Sequence, residues 1–368
     1  MSLDTDRHEV NSNRPARSDP ITRWLLMVAV LIILMVIVGG YVRLSRAGLS
    51  IVEWDVFSGI LPPIGEAAWE ETFTAYQQTP EYQLVNSGMT LAEYQRIFYI
   101  EWGHRLIARV VGLLVVLPLV WFLWKGLLSA RESVRYWMIA ALFGLQGVLG
   151  WLMVSSGLRD RPLVSHYRLT IHLLTALALL GIVLWLAYDR MAFPREDDTG
   201  EAHTLSSGGR TLAWVLLGAV VLQIAYGGLV AGLRAGHLSN TWPLMFGRLI
   251  PQDVFANLVE PLGSHWVHRW FAFVVAAIAV SMYVAVRRGQ AENRVLRTWT
   301  GWLLIVITIQ IVLGISVVWL GVPKWLALAH QAIGVALFVI SVTIAHGAHP
   351  TTGARGPKPV LSSSPPRS

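Results

Sequence analysis

The stretch Tyr99-Ile-Glu-Trp-Gly-His-Arg-Leu-Ile-Ala-Arg-Val-Val-Gly112 opens an apolar run that ends near residue 124. About 20 apolar residues span the hydrocarbon of a bilayer, so the run reads as a membrane helix. Yet Glu101, His104, Arg105 and Arg109 stand at its head. Ionisable groups inside a membrane are costly, and they mark functional sites by default.

The rest of the chain has the same character. Hydrophobic residues make up 54% of it and charged residues only 14%, against roughly 25% charge in soluble domains. The apolar residues come in long runs, near 24–42, 97–124, 136–155, 167–188, 211–232, 265–286, 298–320 and 326–346. Eight runs predict an all-α membrane protein with eight transmembrane helices. The first is too long for the core of a signal peptide and has no small-residue cleavage site after it, so it reads as an uncleaved helix. There is no cysteine, which excludes disulfides, thiolate metal sites and cysteine nucleophiles.

The excess of basic residues could suggest nucleic acid, but its placement points to loops at a membrane instead. With the N-terminus inside, the inner segments 1–23, 125–135, 189–210, 287–297 and 347–368 carry 17 Lys and Arg, and the outer segments carry 9. The positive-inside rule then puts both termini in the cytoplasm, with no nucleic-acid partner. The tail 347–368 is rich in Pro, Ser and Gly and reads as disordered. The outer loop 43–96 carries Glu53, Asp55, Glu66, Glu70, Glu71, Glu81 and Glu93. Its 66–76 stretch predicts a short helix over the membrane, either a solvated lid or a substrate gate.

The chain also repeats itself. Gly39-Gly-Tyr-Val-Arg-Leu-Ser-Arg-Ala-Gly-Leu-Ser50 returns as Gly227-Gly-Leu-Val-Ala-Gly-Leu-Arg-Ala-Gly-His-Leu-Ser239, and Glu-Trp-Gly-His104-Arg-Leu as His-Trp-Val-His268-Arg-Trp. Gln146-Gly-Val-Leu-Gly150 returns as Gln310-Ile-Val-Leu-Gly314, and Ile171-His172-Leu as Ala329-His330-Gln. Four matches in one order predict two tandem four-helix bundles related by an internal repeat. The first is 24–188, including the outer loop. The second is 211–346, joined to the first by a cytoplasmic linker, 189–210.

Each half keeps one histidine on its second helix and one on its fourth: His104 and His172, then His268 and His330. Both helices of a pair start on the outer side, so the two imidazoles lie at similar depth. That arrangement suits a haem plane held between helices. A lone histidine in a membrane helix more often only bonds a neighbouring helix, but four in a repeated pattern argue against that. Zinc fits less well, since its sites draw three or four ligands together. His8, His166, His203, His237, His346 and His349 read as bystanders, the last two in or beside solvated inner segments.

The halves differ at one position. Glu101 stands three residues before His104, and His265 stands three before His268, each on the face of its histidine. Glu101 reads either as a proton acceptor or as the ion-pair partner of Arg105. Arg105 and Arg269 match across the repeat; they either balance haem propionates or reach the outer surface. The role of His265 stays open.

These residues resemble haem A synthase over 24–345. The motifs are the 39–50 stretch, Glu101-Trp-Gly-His-Arg105, Tyr167-Arg-Leu-Thr-Ile-His172-Leu, His268-Arg-Trp270 and Ala329-His-Gln331. The set is similar to the cysteine-free branch found in proteobacteria and mitochondria. The resemblance implies oxidation of the C8 methyl of haem O to a formyl group, in successive steps with water as the oxygen source, giving haem A for terminal oxidases. It implies that His104 and His172 face the substrate haem, that His268 and His330 ligate a haem B cofactor, and that Glu101 is catalytic. It further implies a bacterial inner-membrane location, haem O synthase as the donor of substrate, and a homo-oligomer. The absence of cysteine removes any thiol relay and leaves the electron acceptor open. The competing readings are a di-haem cytochrome acting as a quinol oxidoreductase, and a transporter or haem carrier.

Overall fold

A computed structural model of the chain describes residues 19–53, 58–158, 162–191, 205–289 and 294–349. Most of the expected N-terminal segment and of the 189–210 linker, the tail beyond 349, Asp55, His8 and His203 lie outside the described residues. Ten α-helices run through them: α1 Pro20–Leu44, α2 Glu66–Gln77, α3 Pro80–Leu84, α4 Leu91–Trp124, α5 Ala130–Ser155, α6 His166–Met191, α7 Ser207–Gly232, α8 Pro261–Arg288, α9 Arg294–Trp319 and α10 Lys324–Gly347. All but α2 and α3 are long and apolar enough to cross a membrane, which makes this an eight-span, multi-pass membrane protein.

The helices start earlier than the apolar runs predict, and the caps explain why. Thr90 and Glu93 form a reciprocal capping box that starts α4 at Leu91, six residues ahead of the expected 97. Ser129 and Glu132 do the same for α5 at Ala130. Each box satisfies two backbone amides that a helix start leaves bare. Hydropathy registers only the part of a helix that lies in hydrocarbon. The capped polar turns beyond it are helical for a different reason.

In the described residues α1 packs on α4 and α6, and α5 lies between α4 and α6. Likewise α7 packs on α8 and α10, and α9 lies between α8 and α10. The two groups meet where α1 touches α10 and where α6 touches α7 and α10. Lipid is as apolar as leucine, so membrane helices associate through close packing at small residues. A methyl group added at Gly232 would fall 2.7 Å from the His166 Cα, and one at Gly228 would fall 2.9 Å from Thr170 Oγ1. These glycines let α6 and α7 approach. Gly40 plays the same part at α10, where the Gln331 amide lies over it and donates to the Val36 carbonyl at 2.7 Å. The chain leaves α1 and α7 by the same turn. Arg46 (φ 51°) and Arg234 (φ 53°) are both left-handed, and a fully buried alanine, Ala47 or Ala235, follows each.

The expected outer-loop helix at 66–76 is α2, and α3 is an addition that the sequence reading did not contain. α2 sits on the N-terminal extension of α4 through an aromatic cluster of Trp69, Tyr76, Tyr94 and Phe98, and α3 packs on α2 with Tyr82 against that cluster. The Tyr94 hydroxyl donates to the Ser50 and Thr72 carbonyls, each at 3.2 Å, tying the loop on both sides. Glu81 of α3 is only 3% exposed. Burial pushes its carboxyl up to about 7, with Arg234 and Arg46 opposing that rise. A carboxyl raised on folding binds its proton more tightly in the docked state. Its contribution is therefore complete below the ordinary pKa near 4.5 and is lost as pH rises through 7. We expect the α2–α3 lid to be cleaved faster by protease at pH 8 than at pH 5, and Glu81→Gln to flatten that difference. The effect has a ceiling of about 3 kcal/mol. An unchanged pH dependence in Glu81→Gln removes Glu81 as its source.

Candidate functional site

The four histidines share one local architecture. Each imidazole lies against a glycine of the preceding long helix. A methyl group added at Gly39 would stand 3.4 Å from His104 Nε2, and one at Gly150 would stand 3.5 Å from His172 Cε1. In the other half, Gly227 would bring it 3.0 Å from His268 Cε1, and Gly314 would bring it 2.9 Å from His330 Cε1. All four glycines belong to the repeated motifs, yet nothing in the sequence pattern identifies them as histidine seats. The imidazoles are half-buried rather than sealed, as ligands lining an internal slot must be.

His268 and His330 face each other with ring centroids 6.2 Å apart and planes at 83°. That separation leaves room for one metal between them at bonds of about 2 Å. Among the described residues, no three His, Cys, Asp or Glu side chains converge as a metal cluster, so a site with two protein ligands fits and a zinc-type site does not. The residues therefore fit a haem. Its plane would occupy the slot between two imidazoles, each held back by a glycine.

The two pairs differ in how they are held. Gln223 fixes His268: its side-chain amide donates to the His268 carbonyl at 2.8 Å, and its backbone carbonyl lies 3.1 Å from Nδ1. With that carbonyl accepting, Nδ1 carries the proton and Nε2 keeps its lone pair for a metal. Such outer contacts set the tautomer and the ring orientation of a ligating histidine. Gln310 reaches His330 Nε2 at 3.4 Å. By the glycine register, the position matching Gln223 is Met35, which offers no such hydrogen bonds. His172 Nδ1 is buried without a hydrogen-bond partner. His268 alone is thus braced by a glutamine, since His330 Nδ1 is also buried without a hydrogen-bond partner, and sequence reasoning missed that brace. The residue four before each seat glycine does not reveal it, because Gln146 stands four before Gly150 without bracing His172.

Glu101 and His265 occupy equivalent places with unequal charge. Glu101 is 3% exposed, and its Oε1 takes a hydrogen bond of 2.6 Å from Arg105 Nε. His265 is 2% exposed, and its Nε2 takes one of 2.9 Å from Arg269 Nε. Both arginines then turn outward to the loop carbonyls. Arg105 donates to Ile51 at 3.3 Å and Glu53 at 3.4 Å. Arg269 donates to Thr241 at 2.8 Å and Ser239 at 2.9 Å. Each arginine therefore fastens an outer loop to the helix that carries a site histidine. The ion-pair alternative for Glu101 is present in the structure, and it holds the carboxylate, three residues before His104 on α4, in a fixed orientation.

The expected bystanders divide. His237 is exposed, and His166 packs against Gly232. His346, expected in or beside a solvated segment, is itself buried. It is 8% exposed, within the last turn of α10, and paired with Asp189.

This fold and these sites define a polytopic helical membrane protein with four glycine-seated histidines, of which His268 and His330 face each other at a separation that fits a planar metal cofactor. The family described as cytochrome oxidase assembly protein matches residues 22–342, and the chain belongs to that family. It is similar to a heme A synthase of Sphingopyxis alaskensis, 40% identical over 338 residues that cover 90% of this chain and 92% of the relative. A heme A synthase of Novosphingobium aromaticivorans is 42% identical over 346 residues, covering 89% and 94%. One from Rhodopseudomonas palustris is 41% identical over 338 residues, covering 89% and 91%.

Proposed function

We propose that this chain is a haem A synthase, an oxidoreductase that converts the C8 methyl of haem O to the formyl group of haem A. The observation that carries the reading is the pair of glycine-seated histidines in each half, with a buried carboxylate beside only one of the pairs. Two haems with different jobs explain that asymmetry, whereas a purely electron-carrying cytochrome needs no carboxylate there.

In this reading residues 24–188 form the substrate half and 211–346 the cofactor half. His104 and His172 face haem O; Met35 in place of a bracing glutamine suits a haem that must arrive and leave. His268 and His330 hold haem B, and Gln223 keeps Nε2 of His268 turned to the iron. When bound, the haem B supplies an electron store. The overall change, R–CH3 + H2O to R–CHO, releases four electrons and four protons, with water as the oxygen source. Glu101 accepts a proton as water adds to the oxidised carbon, and Arg105 holds the carboxylate in place. Desolvation suits a carboxylate to that task. Haem O synthase is the donor of substrate, the protein is a homo-oligomer, and both termini lie on the cytoplasmic side of a bacterial inner membrane.

The test is production of haem A. Cells that make haem O but lack their own haem A synthase receive this chain, and extracted haems are separated by chromatography. Appearance of haem A is the expected result. Haem O left unchanged, with haem bound to the purified protein, would instead favour the di-haem cytochrome.

A further inference from the structure

If the chain oxidises a haem methyl group as proposed, four electrons must leave it for each formyl group made. Away from both histidine pairs, α6, α7 and α10 line an open cavity of about 310 Å3 where the two halves meet. Small-molecule sites begin at about this size. Its wall is apolar, with Ala178, Gly181, Leu217 and Phe338. Trp185 and Trp214 also line it, stacked with centroids 5.6 Å apart and planes at 20°. Gly181 is nine residues along α6 from His172, and Phe338 is eight along α10 from His330. The cavity therefore lies roughly 12–14 Å along the helices from both histidine layers. On α6, Ala178, Gly181 and Trp185 stand about 120–180° round the helix from His172, so the cavity opens on the opposite face from the substrate half's histidines.

A buried imidazole stands beside the tryptophans. The ring of His346 meets that of Trp185 edge-on, with centroids 4.9 Å apart. Its Nε2 is 2.9 Å from Asp189 Oδ1, and its Nδ1 is buried with no hydrogen-bond partner. The Asp189 side chain is 52% exposed, so the pair links solvent to the interior. Trp214, itself 45% exposed, donates from Nε1 to His349 Nε2 at 2.7 Å.

We propose that this cavity binds the head group of a membrane quinone, which accepts the electrons of the reaction, and that Asp189 and His346 deliver its protons. A quinone ring is flat and apolar and stacks on indole. It reaches the cavity from the bilayer along the face where Trp214 is exposed. Each quinone takes two electrons and two protons and becomes a quinol, so R–CH3 + H2O + 2 Q gives R–CHO + 2 QH2. The two protons that each quinone takes up come from solvent by way of Asp189 and His346, whose ring reaches the edge of the cavity against Trp185. A lipid chain would need neither stacked indoles nor a buried imidazole joined to a solvated carboxylate. The isoprenoid tail of the substrate would have to cross to the far face of α6.

The test labels the purified, haem-loaded protein with an azido-benzoquinone carrying a decyl tail and maps the modified peptides. Label is expected in 178–185 or 214–221, displaced by excess decyl-benzoquinone. Ala178→Phe, or Val221→Phe where the first does not express, should cut it at least ten-fold by filling the cavity. Leu117→Phe, on the exposed face of α4, should leave it unchanged. His346→Gln should keep the label yet slow quinone-driven haem O oxidation at least ten-fold, and leave the ferricyanide-driven rate, which needs no proton at the acceptor, unaltered. Label elsewhere, label displaced by fatty acid but not by quinone, or label indifferent to the filled cavity overturns the proposal. Haem O conversion with ferricyanide is scored separately. Its absence overturns the proposed reaction, while the labelling still decides the quinone site.

Discussion

Glu101→Gln is expected to stop haem A formation while the second half keeps its haem. General acid–base groups contribute roughly 10²- to 10⁴-fold, and a loss in that range is the expected result in cells that supply haem O. Glutamine keeps the volume of the side chain and can still accept from Arg105 through its amide oxygen, so the 2.6 Å contact has a neutral replacement. What it lacks is the ability to take up a proton. The variant should therefore purify with a normal haem spectrum and accumulate haem O or a hydroxylated intermediate. If Glu101 only anchors Arg105 and the 51–53 loop, the variant will make haem A at near-normal rate, or it will lose the docked lid and its haem together. Either outcome would move the proton acceptor elsewhere. His265→Gln is the matched control, since it alters the equivalent position in the half without the carboxylate.

Much of this was legible in the sequence because a bilayer makes simple demands. Every backbone group in hydrocarbon must bond within its own helix, so each apolar run had to be a helix, and eight runs gave eight spans. The four histidines were legible because they recur in order. The helix starts were not, since Thr90 with Glu93 and Ser129 with Glu132 act through local hydrogen bonds that hydropathy does not register. Gln223 was invisible for a related reason. Its partner His268 lies 45 residues away, and only packing of α7 on α8 brings them together. The burial of Glu81 and His346 was not legible because charged and polar residues near loops are usually solvated. Both are buried through elements distant in sequence: Glu81 lies near Arg46 and Arg234 of the turns after α1 and α7, and His346 pairs with Asp189 of α6.

Alanine at the four seat glycines should separate the two halves of the molecule. At Gly314 and Gly227 the added methyl group would stand 2.9 and 3.0 Å from imidazole carbons, closer than such atoms pack. The ring must then rotate or the helices must part. His268 resists rotation because Gln223 holds it on two sides. Overpacking of this kind costs about 1–3 kcal/mol, or roughly 5- to 150-fold in haem retention. At Gly39 and Gly150 the distances would be 3.4 and 3.5 Å, ordinary contact or close to it, and neither His104 nor His172 is held by a glutamine brace. Gly39→Ala and Gly150→Ala should thus change retention less than three-fold. The measurement is the ratio of haem to protein after purification and dialysis for each single variant. If all four variants keep haem equally, the glycines serve helix packing alone. If Gly39→Ala and Gly150→Ala lose it while Gly227→Ala and Gly314→Ala do not, the tightly held haem belongs to the first half, and the assignment of substrate and cofactor sites must be exchanged.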